Sequence, residues 1–158
     1  MKLIFSFLTA FFLFFQSDLE SLRDSYAKAN ASDVNTEAFI NIADKQPGSD
    51  AVTKGYKAAA KIMEAKIAKS NRKALVKEGA THLEAVIKSN PNNAELRLIR
   101  MSVQENIPKI VGYRGSLKDD KAYLLSNYTK QNPALKNYIK RFAAQSKTMT
   151  DAEKATLK

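Results

Sequence analysis

The sequence predicts an all-α fold, with about seven or eight helices arranged as antiparallel pairs in one domain. Three observations carry this. Apolar residues recur at helical spacing along the chain, and no segment alternates as a strand would. The breaks between periodic stretches hold Ser, Thr, Asp or Asn caps, proline or glycine. The joints are short, which sets neighbouring helices antiparallel. At 158 residues, 44% of them apolar, the chain is long enough to bury a core.

Residues 1–17 stand apart from the rest. Lys2 precedes an uncharged stretch, Leu3 to Phe15, that holds six phenylalanines; Gln16, Ser17 and the acidic Asp18 follow. This stretch is shorter than the roughly 20 residues that span a bilayer as a helix. A basic start, an apolar block and a small residue before a polar chain have the form of a secretory signal peptide. The expected mature domain is therefore 18–158, in the periplasm or cell envelope. Export without cysteine suits a bacterial periplasm, because small eukaryotic secreted domains usually carry disulfides.

Ser17-x-x-Glu20 has the form of a capping box, with Leu19, Leu22 and Tyr26 on one face behind it. A second helix starts near Asp33 and presents Val34, Ala38, Phe39, Ile42 and Ala43. Gln46-Pro47-Gly48 breaks it, and Ser49 or Asp50 caps the third, whose stripe is Tyr56, Ala60, Met63 and Ile67. Lys54, Lys57 and Lys61 occupy its other side. Asn71 caps the fourth, with Val76, Ala80, Leu83 and Ile87 on one face. Asn92-x-x-Glu95 opens the fifth, carrying Leu96, Ile99 and Val103, and Pro108 ends it. Gly112-Tyr113-Arg114-Gly115 reads as a loop. Ser116-x-x-Asp119 starts the sixth, with Leu117, Leu124 and Tyr128. Asn132-Pro133 starts the seventh, with Leu135, Tyr138, Ile139 and Phe142. Thr150-x-x-Glu153 begins a short last helix, and about the last ten residues are expected to fray.

The stretch Gly79-x3-Leu83-x2-Val86-x4-Pro91 resembles the second helix of a tetratricopeptide repeat with its terminal proline. Pro91-Asn-Asn-Ala-Glu95 resembles the junction into a following repeat, and Tyr56-x2-Ala59-Ala60-x2-Met63 resembles a first helix. Met63 and Gly79 are 16 residues apart. That is about seven more than the family spacing, close to two helical turns. Arg97 and Arg100 stand where the family places large apolar residues. The resemblance covers about residues 50–105 and implies a stacked array of helix pairs whose usual role is binding other proteins. The whole chain also resembles small exported helical bacterial proteins of unassigned function.

The formal net charge is +10, and it is unevenly distributed. Residues 18–53 hold 3 basic and 7 acidic side chains, 54–90 hold 9 and 3, and 91–158 hold 13 and 6. A basic surface attracts an acidic protein or peptide, or anionic lipid head groups. Nucleic acid is not expected as a partner, because the chain reads as exported and lacks a nucleic-acid-binding motif.

Nothing in the sequence calls for a cofactor or a metal. There is no cysteine, and the single His82 has only Glu78 four residues before it as a helical neighbour. No Gly-rich phosphate loop or Gly-x-Ser-x-Gly elbow occurs. The chain is expected not to be an enzyme. A hydrolase with paired carboxylates stays as an alternative, because such pairs carry no sequence spacing. The candidate binding residues are Arg97, Arg100, Gln104, Tyr113 and Arg114. Arg100 lies about 40° from Leu96 around a helix, so its guanidinium is expected to be partly buried and to need a carboxylate. Glu78, Glu84 and Asp119 are the acids named for that role in a structural bridge. The other reading is a groove in which these residues grip an acidic or carboxylate-bearing ligand. The expected function is thus protein or peptide binding in the cell envelope, with attachment to an anionic membrane surface as an alternative.

Overall fold

The computed structural model describes residues 18–158; the expected signal segment and its Ser17 cap lie outside the described residues. Eight helices follow: α1 (18–28), α2 (Asp33–Lys45), α3 (Ala51–Ile67), α4 (Arg72–Ser89), α5 (Ala94–Asn106), α6 (Leu117–Asn127), α7 (Pro133–Gln145) and α8 (Asp151–Ala155). Among the described residues there is no strand, and no helix is long and apolar enough to cross a membrane. The all-α prediction and its helix number hold.

Several predicted caps act as caps. The side chains of Asp50 and Asn132 accept from the N–H groups of Thr53 and Leu135, and Thr150 with Glu153 forms a full capping box. Others differ. The cap of α5 is Asn93 rather than Asn92, because Asn93 Oδ1 is the atom placed 3.0 Å from Leu96 N. Asn71 precedes α4 in the left-handed region (φ 59°), and its side chain caps nothing. Ser116 does not cap α6 with its hydroxyl. On α2, Phe39 and Ala43 are buried as predicted, but Val34 and Ala38 face solvent and Thr36 is buried. Thr36 tolerates burial because its hydroxyl donates to the Ala29 carbonyl at 2.7 Å.

Helices α3 and α4 pack closely against each other. A four-residue joint turns the chain, and Gly79 lets α4 rest on α3. A Cβ there would sit 2.6 Å from the Ala58 carbonyl oxygen and 2.9 Å from Ile62 N. On another side α3 packs against α5 at Gly55, where Leu96, Ile99 and Leu83 converge. Tyr56, Met63, Leu83 and Ile99 all belong to one core that runs from Leu22 to Leu157.

Helix α5 is the axis of that core. Every residue from Ala94 to Glu105 except Arg97 is buried. Along α1, Tyr26 Oη donates to the Ile99 carbonyl, and Arg23 makes two bonds of 2.8 and 2.7 Å to Glu95. Tyr56 Oη adds a third bond to Glu95 at 2.8 Å. Tyr26, Phe39 and Tyr56 pack ring to ring, with centroids 4.9–6.4 Å apart. The C-terminal stretch is tied by Lys121–Glu153 (2.7 Å), by buried Met149 and Leu157, and by Tyr128 Oη donating to the Lys158 carbonyl.

Candidate functional site

Three of the five candidate residues, Arg97, Arg100 and Tyr113, share one network at the α4–α5–α6 junction. Arg100 Nε and Nη2 donate to the two oxygens of Asp120, each at 2.7 Å, and Nη1 donates to Glu84 at 2.6 Å. Asp120 has no solvent exposure. It also accepts from Arg97 Nη1 at 3.1 Å. The remaining Arg97 nitrogens donate to the Pro91 carbonyl, and its guanidinium lies 4.3 Å above the Tyr123 ring. Tyr113 Oη donates to the other Glu84 oxygen at 2.6 Å.

Gln104 and Arg114 hold the loop beside this cluster. Gln104 Oε1 accepts from Ser116 N–H at 3.1 Å. Arg114 Nη1 reaches the carbonyls of Glu105 and Ile107 at the end of α5, which a helix terminus otherwise leaves unpaired. Gly112 turns the loop with φ +76°, whereas Gly115 is not in the left-handed region.

The partners of Arg100 therefore include Glu84 as expected, and the second is Asp120 in place of Asp119. One residue is about 100° around a helix. That rotation puts Asp120 on the inner face of α6 and leaves Asp119 in solvent, as Glu78 is on α4. Burial opposes the charge on Arg100, but its bonds to Asp120 and Glu84 outweigh that and raise its pKa above the ordinary arginine value. Burial, then the bond to Glu84, pushes the Tyr113 hydroxyl well up and keeps it a donor. Every buried side-chain nitrogen and oxygen among the described residues has a hydrogen-bond partner. A fully satisfied network of this kind fixes helices and a loop.

A wide apolar concavity lies elsewhere, and none of the five residues lines it. It holds about 960 Å³ where the end of α3, the start of α4 and the end of α5 diverge. Ile62, Met63, Val76, Val103, Ile107 and Pro108 form its apolar walls. Lys66, Arg72 and Lys73 stand on its rim, and Ile110 and Val111 close one side. Ile110 is 96% exposed, on the 3-10 turn Lys109–Val111 that the Tyr113–Arg114 loop continues.

No family model, curated protein or solved structure matches the chain.

A second, shallower concavity of about 570 Å³ between α1 and α2 is lined mainly by polar residues, including Glu20 and Asp24. Both of those carboxylates face Arg141. His82 is exposed, and among the described residues no three His, Cys, Asp or Glu side chains converge as a metal site would. Sequence reasoning missed the apolar groove. Its one local signal is the stretch Ile107-Pro108-Lys109-Ile110-Val111, where apolar residues sit after a helix-ending proline with no helical face to join.

Proposed function

We propose that this protein is an exported, non-enzymatic helical scaffold that binds a peptide segment of a partner protein in the cell envelope. The observation that supports this is the apolar groove at the diverging ends of α3, α4 and α5, flanked by exposed Ile110 and Val111. Its volume is in the range of binding clefts, and laying an apolar face into such a groove is a common mode of peptide recognition. In this reading the Arg97–Arg114 network positions the loop, while Ile110 and Val111 make the contact. A photo-crosslinking side chain at position 110 of the full chain, expressed in cells, should give a discrete protein adduct. Val76→Asp should remove that adduct without changing the melting curve by more than a few degrees. No adduct at position 110 overturns the reading.

Export belongs to the same proposal. The uncharged Leu3–Phe15 block behind Lys2 supports it. Protein released by osmotic shock should begin near Asp18 on N-terminal sequencing, and soluble protein that keeps Met1 would contradict export. A second reading rests on the same loop. Ile110 beside Lys109 suits insertion at an anionic membrane surface. Co-sedimentation with anionic vesicles, abolished by Ile110→Asp, would favour that reading over the peptide groove.

A further inference from the structure

We infer that the segment bound in this groove is acidic: an amphipathic stretch whose apolar side chains lie on Val76, Val103 and Ile107 and whose carboxylates meet Arg72 and Lys73. The inference rests on the peptide-groove reading and adds the chemistry of the partner. Its basis is the charge of the rim. Of the residues that line the groove, three are cationic and none is acidic. Lys66 is already engaged, with its Nζ 3.2 Å from Thr36 Oγ1 and 3.7 Å from Asp33. Arg72 uses only Nε internally, on the Ala68 carbonyl at 2.8 Å, and Lys73 has no ion-pair partner among the described residues.

Both free cations are exposed and stand in the first turn of α4, which has no acid and no side-chain cap. The helix dipole is positive at that end, so the two side chains add to a potential that already disfavours them. A carboxylate brought in by a partner reverses the sign of that interaction, and Arg72 retains its Nη pair for a charge-assisted bond. The apolar walls come from about one turn of each of three successive helices. A segment crossing them thus needs apolar positions along one side and carboxylates at the α4 end. A purely apolar ligand leaves the cations unused, and a basic one is repelled by them.

The test uses the mature chain and two short synthetic peptides. Both carry leucine at i, i+4, i+7 and i+11; one has glutamate and the other lysine at its remaining positions. Fluorescence anisotropy should show the glutamate peptide binding at least about tenfold more tightly. The double variant Arg72→Glu/Lys73→Glu should invert the preference. It should also melt at a higher temperature than the natural chain, because carboxylates at the start of α4 favour its dipole. Loss of binding together with a gain in stability is what a purely structural role for these side chains would not produce. Equal binding of both peptides, lost for both in Val76→Asp, overturns the acidic inference and leaves the groove standing. Glutamate-peptide binding that survives the double variant overturns it as well. Failure of both peptides, with no adduct at position 110, overturns the groove reading itself. Binding to phosphatidylglycerol vesicles in place of either peptide, again lost in the double variant, assigns the rim to a membrane and overturns the peptide inference.

Discussion

At the scale of single residues, Glu105 is buried on neutral donors alone, but the other buried charges among the described residues each meet an opposite charge. Asp120 is the clearest case, gripped at both oxygens by Arg100 and at one by Arg97. Removing it leaves the buried Arg100 guanidinium with the part-exposed Glu84 as its one remaining counter-charge. Asp120→Ala should therefore cost about 3–5 kcal/mol in a reversible urea melt. Asp119→Ala, one residue away and exposed, should change stability by less than about 0.5 kcal/mol. Equal effects of the two substitutions would refute the assignment. Half of this pairing was legible beforehand. The angular separation of Arg100 from Leu96 implies burial, and burial of a guanidinium implies an acid. Which of two adjacent acids faces inward was not legible, because that depends on how α6 is rotated against α5. Ile110 and Val111 were hidden for a related reason. Periodicity says nothing about apolar residues in a turn, whose exposure is set by the elements around them.

At the scale of elements, the α3–α4 pair depends on close backbone approach. Beside the Ile62 side chain, a Cβ at Gly79 would meet two main-chain atoms of α3, Ala58 O and Ile62 N, which no rotamer change can move. Gly79→Ala should destabilise the fold by roughly 1–3 kcal/mol, as overpacking does, despite the better helix propensity of alanine. Gly115→Ala meets nothing within 4 Å and should be neutral to within about 0.5 kcal/mol, so a pair of thermal melts separates steric from general effects. The residues of the α4 face, Leu83 and Ile87, could be read from their spacing, and so could the breaks at Pro47, Pro91 and Pro108. The face of α2 could be read only in part, at Phe39 and Ala43 but not at Thr36. Its best periodic run included Val34, but the helix is turned by buried Thr36, which bonds back to the preceding turn. A hydroxyl satisfied by a neighbouring carbonyl is invisible to a hydrophobic pattern.

At the scale of the whole molecule, the core is lined with neutral phenols. Burial raises the pKa of Tyr26, Tyr56 and Tyr138 above the ordinary value of 10.0, and burial with Glu84 does the same for Tyr113. A group that holds its proton more tightly when folded stabilises the fold fully below its unfolded pKa and loses that contribution as pH rises past it. The urea midpoint should therefore be flat with respect to these groups up to about pH 9 and should fall steeply above about pH 10. The loss should track the tyrosinate absorbance of the unfolding chain, and a midpoint unchanged at pH 11 would contradict the burial of these hydroxyls. The charges along α5 govern a different property. Glu95 is held from α1, Arg100 from α4 and α6, and Glu105 by Ser146 Oγ and the Thr148 N–H beyond α7. Each of the three charges is held from a separate part of the chain, so no part can be trimmed away without abandoning an ion in the interior. Proteins of stacked repeats can be shortened by whole units and still fold. This chain should behave as a single indivisible piece: in a protease titration, intact protein should give way directly to small peptides, with no long-lived fragment between them.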